Sequence, residues 1–367
     1  MTDLAQLDTP CLVLDRAKVA RNAGRLQERL AAFGVPLRLH VKTPKSPAVV
    51  NLVLAGRKAP ITVSTLKEAE QFFEAGHADI LYAVGFSPAK LDRARALAAR
   101  GARLTLITDS METARALSGF PVLLEIDTDG DRAGLEPDSP QLVPLARQLR
   151  DSGCIVAGVM THAGGSYGSR SLDAIRAMAE QERSGAVLAA RRLREAGFEA
   201  PVVSVGSTPT AHYAETLDGV TEVRAGVFVF FDLVMAGIGV CCPDDIALSV
   251  LTTVNGHRPD KGWILVDAGW MALSRDRGTA KQAIDQGYGV VCDVEGHPIA
   301  GLIVRDTHQE HGVIVHRDGA ALPDLPVGTR LRILPNHACA TGAQHAGYHV
   351  VDGGRSVTAY WERFSGW

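Results

Sequence analysis

The chain has 367 residues, 46% of them hydrophobic and 22% charged, with a formal net charge of −3. Nucleic acid and anionic membrane surfaces call for clustered positive charge, so this balance argues against both and leaves small-molecule chemistry as the expectation. The start, Met1-Thr2-Asp3-Leu4, has no basic segment ahead of an apolar one, and no stretch approaches about eighteen uninterrupted apolar residues, so a soluble, cytoplasmic chain is expected.

An apolar run at 10–14 comes first, followed by short β-branched runs at 37–42, 60–64, 80–84, 103–108, 121–126, 155–160, 202–205 and 221–227. Stretches of helical period separate most of them, for example 66–75, 88–100, 111–117, 140–151 and 172–196. Eight strand and helix units predict an α/β fold with a closed (β/α)8 barrel over 16–245. The alternative, an open doubly wound sheet, lacks a Gly-x-Gly-x-x-Gly fingerprint after its first strand. Beyond 245 the runs at 248–254, 263–267, 289–292, 312–316, 330–334, 349–351 and 356–361 carry no long helices between them. They predict a C-terminal antiparallel β domain over 246–367, joined by an N-terminal strand within 7–15.

A barrel of this kind gathers its chemistry where strands end. Lys42, Asp127, His162, Gly206-Ser207-Thr208 and Ala225-Gly226 all fall at such ends. The loop Val205-Gly206-Ser207-Thr208-Pro209-Thr210 offers amides and hydroxyls to a phosphate, with Gly226 completing the cradle, although the same residues also make an ordinary turn. A phosphate cradle with a rim lysine points to pyridoxal 5'-phosphate, whose aldehyde needs a lysine Schiff base. Lys42 is the candidate. His40 and Lys45 flank it, Thr43-Pro44 stops a helix there, and strand alternation turns Lys42 inward with His40 and favours it over Lys45. The competing reading is a surface lysine.

His337-Ala338-Cys339 would put an imidazole and a thiol on one face of an extended strand, where a borderline-soft cation such as zinc takes both. A core histidine beside a buried thiol is the competing reading. Two protein ligands leave positions for water and substrate, which suits a catalytic ion. The six cysteines are scattered, which argues against a disulfide framework and fits mostly inert core thiols, and Cys241-Cys242 would diverge on a strand.

Taken together, these motifs resemble the D-serine dehydratase and D-threonine aldolase family, pyridoxal-phosphate enzymes with the alanine-racemase type of fold. The resemblance runs from Leu7-Asp8-Thr9-Pro10 to Gly366-Trp367, through His40-Val41-Lys42-Thr43, Gly130-Asp131-Arg132-Ala133-Gly134, His162 to Tyr167, Gly206-Ser207-Thr208-Pro209, Gln309-Glu310-His311-Gly312 and His337-Ala338-Cys339-Ala340-Thr341. It implies Lys42 as the Schiff-base lysine and catalytic base, Tyr167 near the pyridine nitrogen and Arg132 near the phenolate of the cofactor. It also implies a divalent ion on His337 and Cys339, with zinc favoured over manganese, cobalt or nickel, and a homodimer. Cys339, where the aldolases show aspartate, looks like the D-serine dehydratase branch, so the implied reaction is D-serine to pyruvate and ammonia. The alternatives are D-threo-3-hydroxyaspartate dehydration, and retro-aldol cleavage to glycine and an aldehyde with His162 as base. Pro44 departs from the family's usual histidine. A non-catalytic cofactor carrier is disfavoured by the second domain.

Overall fold

The structure, a computed structural model, describes residues 2–367. The chain forms two compact units, one made of the segments up to Gly24, Thr43–Val53 and Val227–Ser365, the other of Arg25–Lys42, Leu54–Gly226 and Gly366–Trp367.

Strands β1 (Thr2–Asp3), β2 (Cys11–Asp15) and helix α1 (Arg16–Ala32) precede the barrel. The barrel strands follow in order: β3 (Leu37–His40), β4 (Ile61–Val63), β5 (Asp79–Tyr82), β6 (Arg103–Thr108), β7 (Pro121–Ile126), β8 (Ile155–Thr161), β9 (Val202–Val205) and β10 (Glu222–Ala225). Helices α2 (Pro47–Val53), α3 (Leu66–Glu74), α4 (Leu91–Ala99), α5 (Met111–Ala116), α6 (Leu142–Asp151), α7 (Leu172–Glu195) and α8 (Thr208–Tyr213) lie between them. All eight strands pair in parallel with their neighbours, and β10 pairs with β3 to close the barrel, Val223 opposite Leu37 and Ala225 opposite Leu39. The α/β barrel expected from the alternation is therefore present, and the doubly wound alternative is not. Apolar side chains from successive strands, Leu81, Ile107, Leu123 and Met160, pack as one cluster.

Polar side chains on one face of these strands form a continuous chain. Arg38 bridges Asp79 at 2.8 Å and Glu222 at 2.7 Å; Ser204 Oγ donates to Glu222 at 2.6 Å and accepts from Arg224 Nη1 at 2.7 Å; Arg224 Nη2 donates to the Thr161 carbonyl. Arg38 thus ties the first barrel strand to the last and the third. Gly158, at φ 141°, is where β8 crowds β9: a Cβ there would stand 1.9 Å from the Val202 carbonyl oxygen, so no side chain fits.

The other unit adds helices α9 (Leu233–Gly237), α10 (Trp270–Leu273) and α11 (Ala338–Gly342) and strands β11 (Leu248–Arg258), β12 (Trp263–Val266), β13 (Gly289–Cys292), β14 (Pro298–Thr307), β15 (Gly312–His316), β16 (Arg330–Pro335), β17 (Gly347–Val351), β18 (Ser356–Val357) and β19 (Ala359–Glu362). β1 pairs with β18; the rest, with β2, form a nine-stranded sheet in the order β12-β15-β14-β13-β16-β11-β2-β17-β19, and β12 also pairs with β11. The early run thus supplies this sheet with a strand, β2, between β11 and β17. Two strands are not foreseen: β1 is only two residues long, and in β14 Gly301, at φ 74°, and the exposed pair Arg305 and Asp306 break the alternation that marks a half-buried strand. No helix among the described residues is long and apolar enough to cross a membrane.

The closure of the barrel gives a test. In Arg38→Leu, Asp79 and Glu222 keep their charges and lose their cation, so the fold should weaken by about 2–3 kcal/mol, read as a lower urea midpoint at unchanged slope. An unchanged midpoint would show that the pair contributes nothing to closure.

Candidate active site

The barrel brings the expected rim residues to one end. Lys42 follows β3, Asp127 follows β7, His162 follows β8, Gly206 to Thr208 follow β9 and Gly226 follows β10, all past the C-terminal ends of parallel strands. Lys42 does not close its strand. β3 stops at His40, and Lys42 lies exposed in the turn 41–44, because the chain leaves the sheet ahead of Pro44. The Lys42 amide donates to His40 Nδ1 at 3.4 Å.

Two imidazoles lie near Lys42, and burial favours the neutral form of both. Burial lowers His40 well below its ordinary value, and Lys42, Arg224 and His162 add to the effect. Burial, then Lys42, pushes His162 down to about 3. His162 Nδ1 lies 2.8 Å from the Gly206 carbonyl, which can only accept, so Nδ1 carries the proton and Nε2 keeps its lone pair. Tyr167 packs beside it, with ring centroids 6.1 Å apart.

Glu182, a residue the sequence reading passed over, fastens these loops. It lies on the buried face of α7, and its Oε1 accepts from the amides of Ala163 at 3.1 Å and Gly206 at 2.8 Å, while Oε2 accepts from Thr210 Oγ1 at 2.7 Å. Burial raises its pKa, and these three donors and Arg224 oppose the rise. A signal was available: Ile175, Ala179, Glu182, Ala186, Ala189 and Leu193 form the buried stripe of α7, and one carboxylate interrupts it.

The expected phosphate loop is built differently from the expectation. The amides of Gly206 and Ser207 are already used, by Glu182 and by Thr210 Oγ1 at 3.1 Å. Ser207 caps α8, and its hydroxyl lies 2.9 Å from that of Ser166, so the loops after β8 and β9 meet through hydroxyls. Gly206 has φ 145°, and a Cβ would stand 2.0 Å from the Arg224 carbonyl oxygen, so glycine is required there by strand packing. Gly226 is buried directly after β10. Arg132 is more than half exposed, with Nη2 3.5 Å from Glu125 Oε1. Asp127 caps its own loop, accepting from the amides of Asp129 and Gly130. An exposed lysine beside two neutral imidazoles, ringed by hydroxyl loops, fits an aldehyde cofactor with a phosphate.

In the other unit, His337 and Cys339 come together by a route other than the strand alternation expected. β16 ends at Pro335, His337 is the N-cap of α11, and Cys339 lies in the first helical turn. Asp232 sets this turn: buried at the N-cap of α9, it accepts from the Ala338 amide at 2.9 Å and from Met235 at 3.0 Å. Asn336, also buried, donates to Thr279 Oγ1 and the Gly287 carbonyl. His337 Nδ1 donates to Asp276 Oδ2 at 2.6 Å, which leaves Nε2 for the thiol side. Burial alone would lower His337; Asp276, Cys339 and Asp232 outweigh it and push it up to about 11. Thr43, which follows Lys42 in the chain, has Oγ1 3.3 Å from Cys339 Sγ. One imidazole with a carboxylate behind it and one thiol fit a zinc-type ion with open positions. Among the described residues no group of three histidine, cysteine or acidic side chains converges, so such an ion would take its other ligands from water or substrate.

All six cysteines are free. Cys154 and Cys292 are buried, the latter pushed up to about 12 by burial, as core thiols should be. Cys242 departs from that expectation: it is exposed, with its sulfur 3.4 Å from Asp245.

Comparison with known proteins agrees with this architecture. The family described as alanine racemase, N-terminal domain matches residues 14–234, and the putative serine dehydratase domain matches 247–351. D-threo-3-hydroxyaspartate dehydratase of Delftia sp. (strain HT23) is 54% identical over 99% of both chains, and its solved structure superposes with a TM-score of 0.96 over 100% of each. Variants of that enzyme have been solved with one histidine and with one cysteine replaced by alanine, the latter in the metal-free form; the two positions lie two residues apart. D-serine dehydratase of Dictyostelium discoideum is 28% identical over 97% of this chain and 96% of its own, and D-threonine aldolase of Arthrobacter sp. 30% over 98% and 93%. A barrel with a lysine at its rim, an antiparallel β domain with His337 and Cys339, and similarity over nearly the whole length lead to one conclusion: the chain belongs to the D-serine dehydratase and D-threonine aldolase family of pyridoxal-phosphate-dependent lyases with the alanine-racemase type of fold.

Proposed function

We propose that this chain is a metal-dependent dehydratase of D-3-hydroxy amino acids whose preferred substrate is D-threo-3-hydroxyaspartate, which it converts to oxaloacetate and ammonia. The observation that carries this reading is the 54% identity over 99% of both chains to the Delftia enzyme, against 28% to the Dictyostelium D-serine dehydratase. It favours the dicarboxylic alternative over D-serine, the substrate expected first from the sequence.

Pyridoxal phosphate, when bound, supplies the electron sink that lets an α-proton leave. Lys42 would hold it and, once released, take that proton, its amine lying in a turn rather than locked in a strand. Tyr167, Arg132, Gly206, Ser207, Thr208 and Gly226 would surround the cofactor, with Glu182 fixing the two loops to which most of them belong. His337 and Cys339 would hold a divalent cation, zinc by donor softness, to polarise the departing β-hydroxyl. Asp276 would keep the His337 tautomer that offers Nε2. His162, neutral with a free Nε2 lone pair, can receive a proton from a hydroxyl, which is what aldol cleavage would need.

Products decide between the chemistries. The purified protein with pyridoxal phosphate and zinc should release a keto acid and ammonia from D-threo-3-hydroxyaspartate and from D-serine, with kcat/KM about 100-fold higher for the former, the value of one charge-assisted hydrogen-bonded pair. Glycine and an aldehyde would replace the dehydratase reading with the aldolase one.

Removing Cys339 leaves one protein ligand. Cys339→Ala should therefore lose its zinc by elemental analysis and fall on the order of 10³-fold in kcat/KM. Asp276→Asn should keep both ligands and weaken zinc about 10- to 100-fold in a chelator titration. Full activity of Cys339→Ala after chelation would end the metal assignment.

His162 also ties stability to pH. Its folded value, about 3, lies below the ordinary 6.5, so its contribution is complete above pH 6.5 and is lost as pH falls toward 3. The cofactor-free chain should lose stability across that window, and His162→Gln should remove on the order of 2 kcal/mol of the loss, read from urea midpoints at pH 7 and pH 4. Identical slopes in both proteins would mean that His162 is not held neutral.

A further inference from the structure

Helix α11 turns toward Arg363 the same side that carries Cys339. Cys339 and Gly342 are three residues apart and share a helical face. A Cβ on Gly342 would lie 3.7 Å from Arg363 Nε and 4.0 Å from Tyr348 Oη. Arg363, just past β19, is only 9% exposed. Its Nη1 donates to the Phe364 carbonyl at 3.3 Å and to Ser365 Oγ at 3.2 Å, whereas Nε is buried with no hydrogen-bond partner. Among the described residues no aspartate or glutamate forms an ion pair with this guanidinium. Its neighbour Tyr348, fully buried, offers the guanidinium a phenol oxygen but donates its own proton to the Pro44 carbonyl at 2.6 Å, so it brings a neutral acceptor and no negative charge.

A buried cation without a counter-ion is costly, and folds retain one where an anion arrives from outside. The planar fork of arginine matches a carboxylate. In D-threo-3-hydroxyaspartate the β-carbon carries both the hydroxyl and the second carboxylate, so a cation that recognises the carboxylate has to lie close to the ion that takes the hydroxyl. Arg363 lies beside Gly342 of the helix that carries Cys339. We propose that Arg363 is the specificity-determining residue that receives the β-carboxylate of a dicarboxylic substrate. This rests on the substrate reading above and names the side chain responsible for it.

The test uses the holoenzyme with zinc and measures kcat/KM for D-threo-3-hydroxyaspartate and for D-serine, together with inhibition by D-aspartate and by D-alanine. In Arg363→Gln the ratio of kcat/KM between the two substrates should fall about 100-fold, and inhibition by D-aspartate relative to D-alanine should weaken by a similar factor. Should Arg363→Gln fail to fold, Gly342→Ala decides. Its methyl meets no atom closer than 3.7 Å, so it should fold, yet it packs against the guanidinium, restricts how it can turn toward a carboxylate, and should raise KM for the dicarboxylic substrate relative to D-serine. An unchanged ratio in the folded variants, or an equal loss with both substrates, would overturn the assignment and leave Arg363 as a support of α11. A wild-type enzyme without dicarboxylic preference would instead overturn the substrate reading itself, which separates the two failures.

Discussion

Everything at the barrel rim depends on the pairing of β10 with β3. Only because Val223 to Ala225 run in register beside Leu37 to Leu39 do the loops after the first and last strands leave the same end of a closed barrel. That closure carries Lys42, His162, Gly206 and Gly226 to one rim although they are distant in sequence. The polar chain from Asp79 through Arg38, Glu222, Ser204 and Arg224 to the Thr161 carbonyl runs across the same seam. It therefore couples the closure to the residue just before His162. A charge network that serves the fold thus also reaches the rim, where Arg224 adds to the burial that lowers His40 and His162.

Carboxylates act on the chemistry here mostly without touching it. Glu182 accepts three hydrogen bonds and so holds the loops after β8 and β9 to α7; Asp276 fixes one nitrogen of His337; Asp232 sets the helical turn that places Cys339. Each satisfies a group that would otherwise be free to rotate or fray, and each is fully or partly withdrawn from water, where a hydrogen bond to a charged group is worth more than at the surface.

The residues proposed to react were legible in the sequence because their chemistry is local. A lysine at a strand end, a Gly-Ser-Thr loop and a histidine two residues from a cysteine are patterns in adjacent positions. The residues that position them were not, because their partners are remote: Asp276 meets His337 across sixty-one residues, and Asp232 meets Ala338 across more than a hundred. Glu182 lay between, since the apolar stripe of α7 marked it as a buried charge but could not say what it would bind. Strand alternation predicted that His337 and Cys339 share a face, but neither lies on a strand. The turn of α11 joins them, and it exists because Asp232 takes the Ala338 amide. The same rule failed at β14, where Gly301 and two exposed charges conceal a strand whose pairing with β13 and β15 secures it.

Substrate preference in such a site reduces to how the charges around the β-carbon are met. An ion held by an imidazole and a thiol would keep open positions, so it alone would discriminate little among β-hydroxy amino acids; it would recognise the hydroxyl they all share. Discrimination has to come from a group that answers what differs, and for a second carboxylate that group is a desolvated cation. A surface lysine or arginine would serve poorly, because water already satisfies it and a carboxylate gains little by replacing that water. A guanidinium buried against α11 without an acidic partner, as proposed for Arg363, would gain far more from the same carboxylate. With D-serine that gain would be missing and the cation would stay unpaired, so the proposed preference would follow from the cost of an empty site as much as from the strength of a filled one.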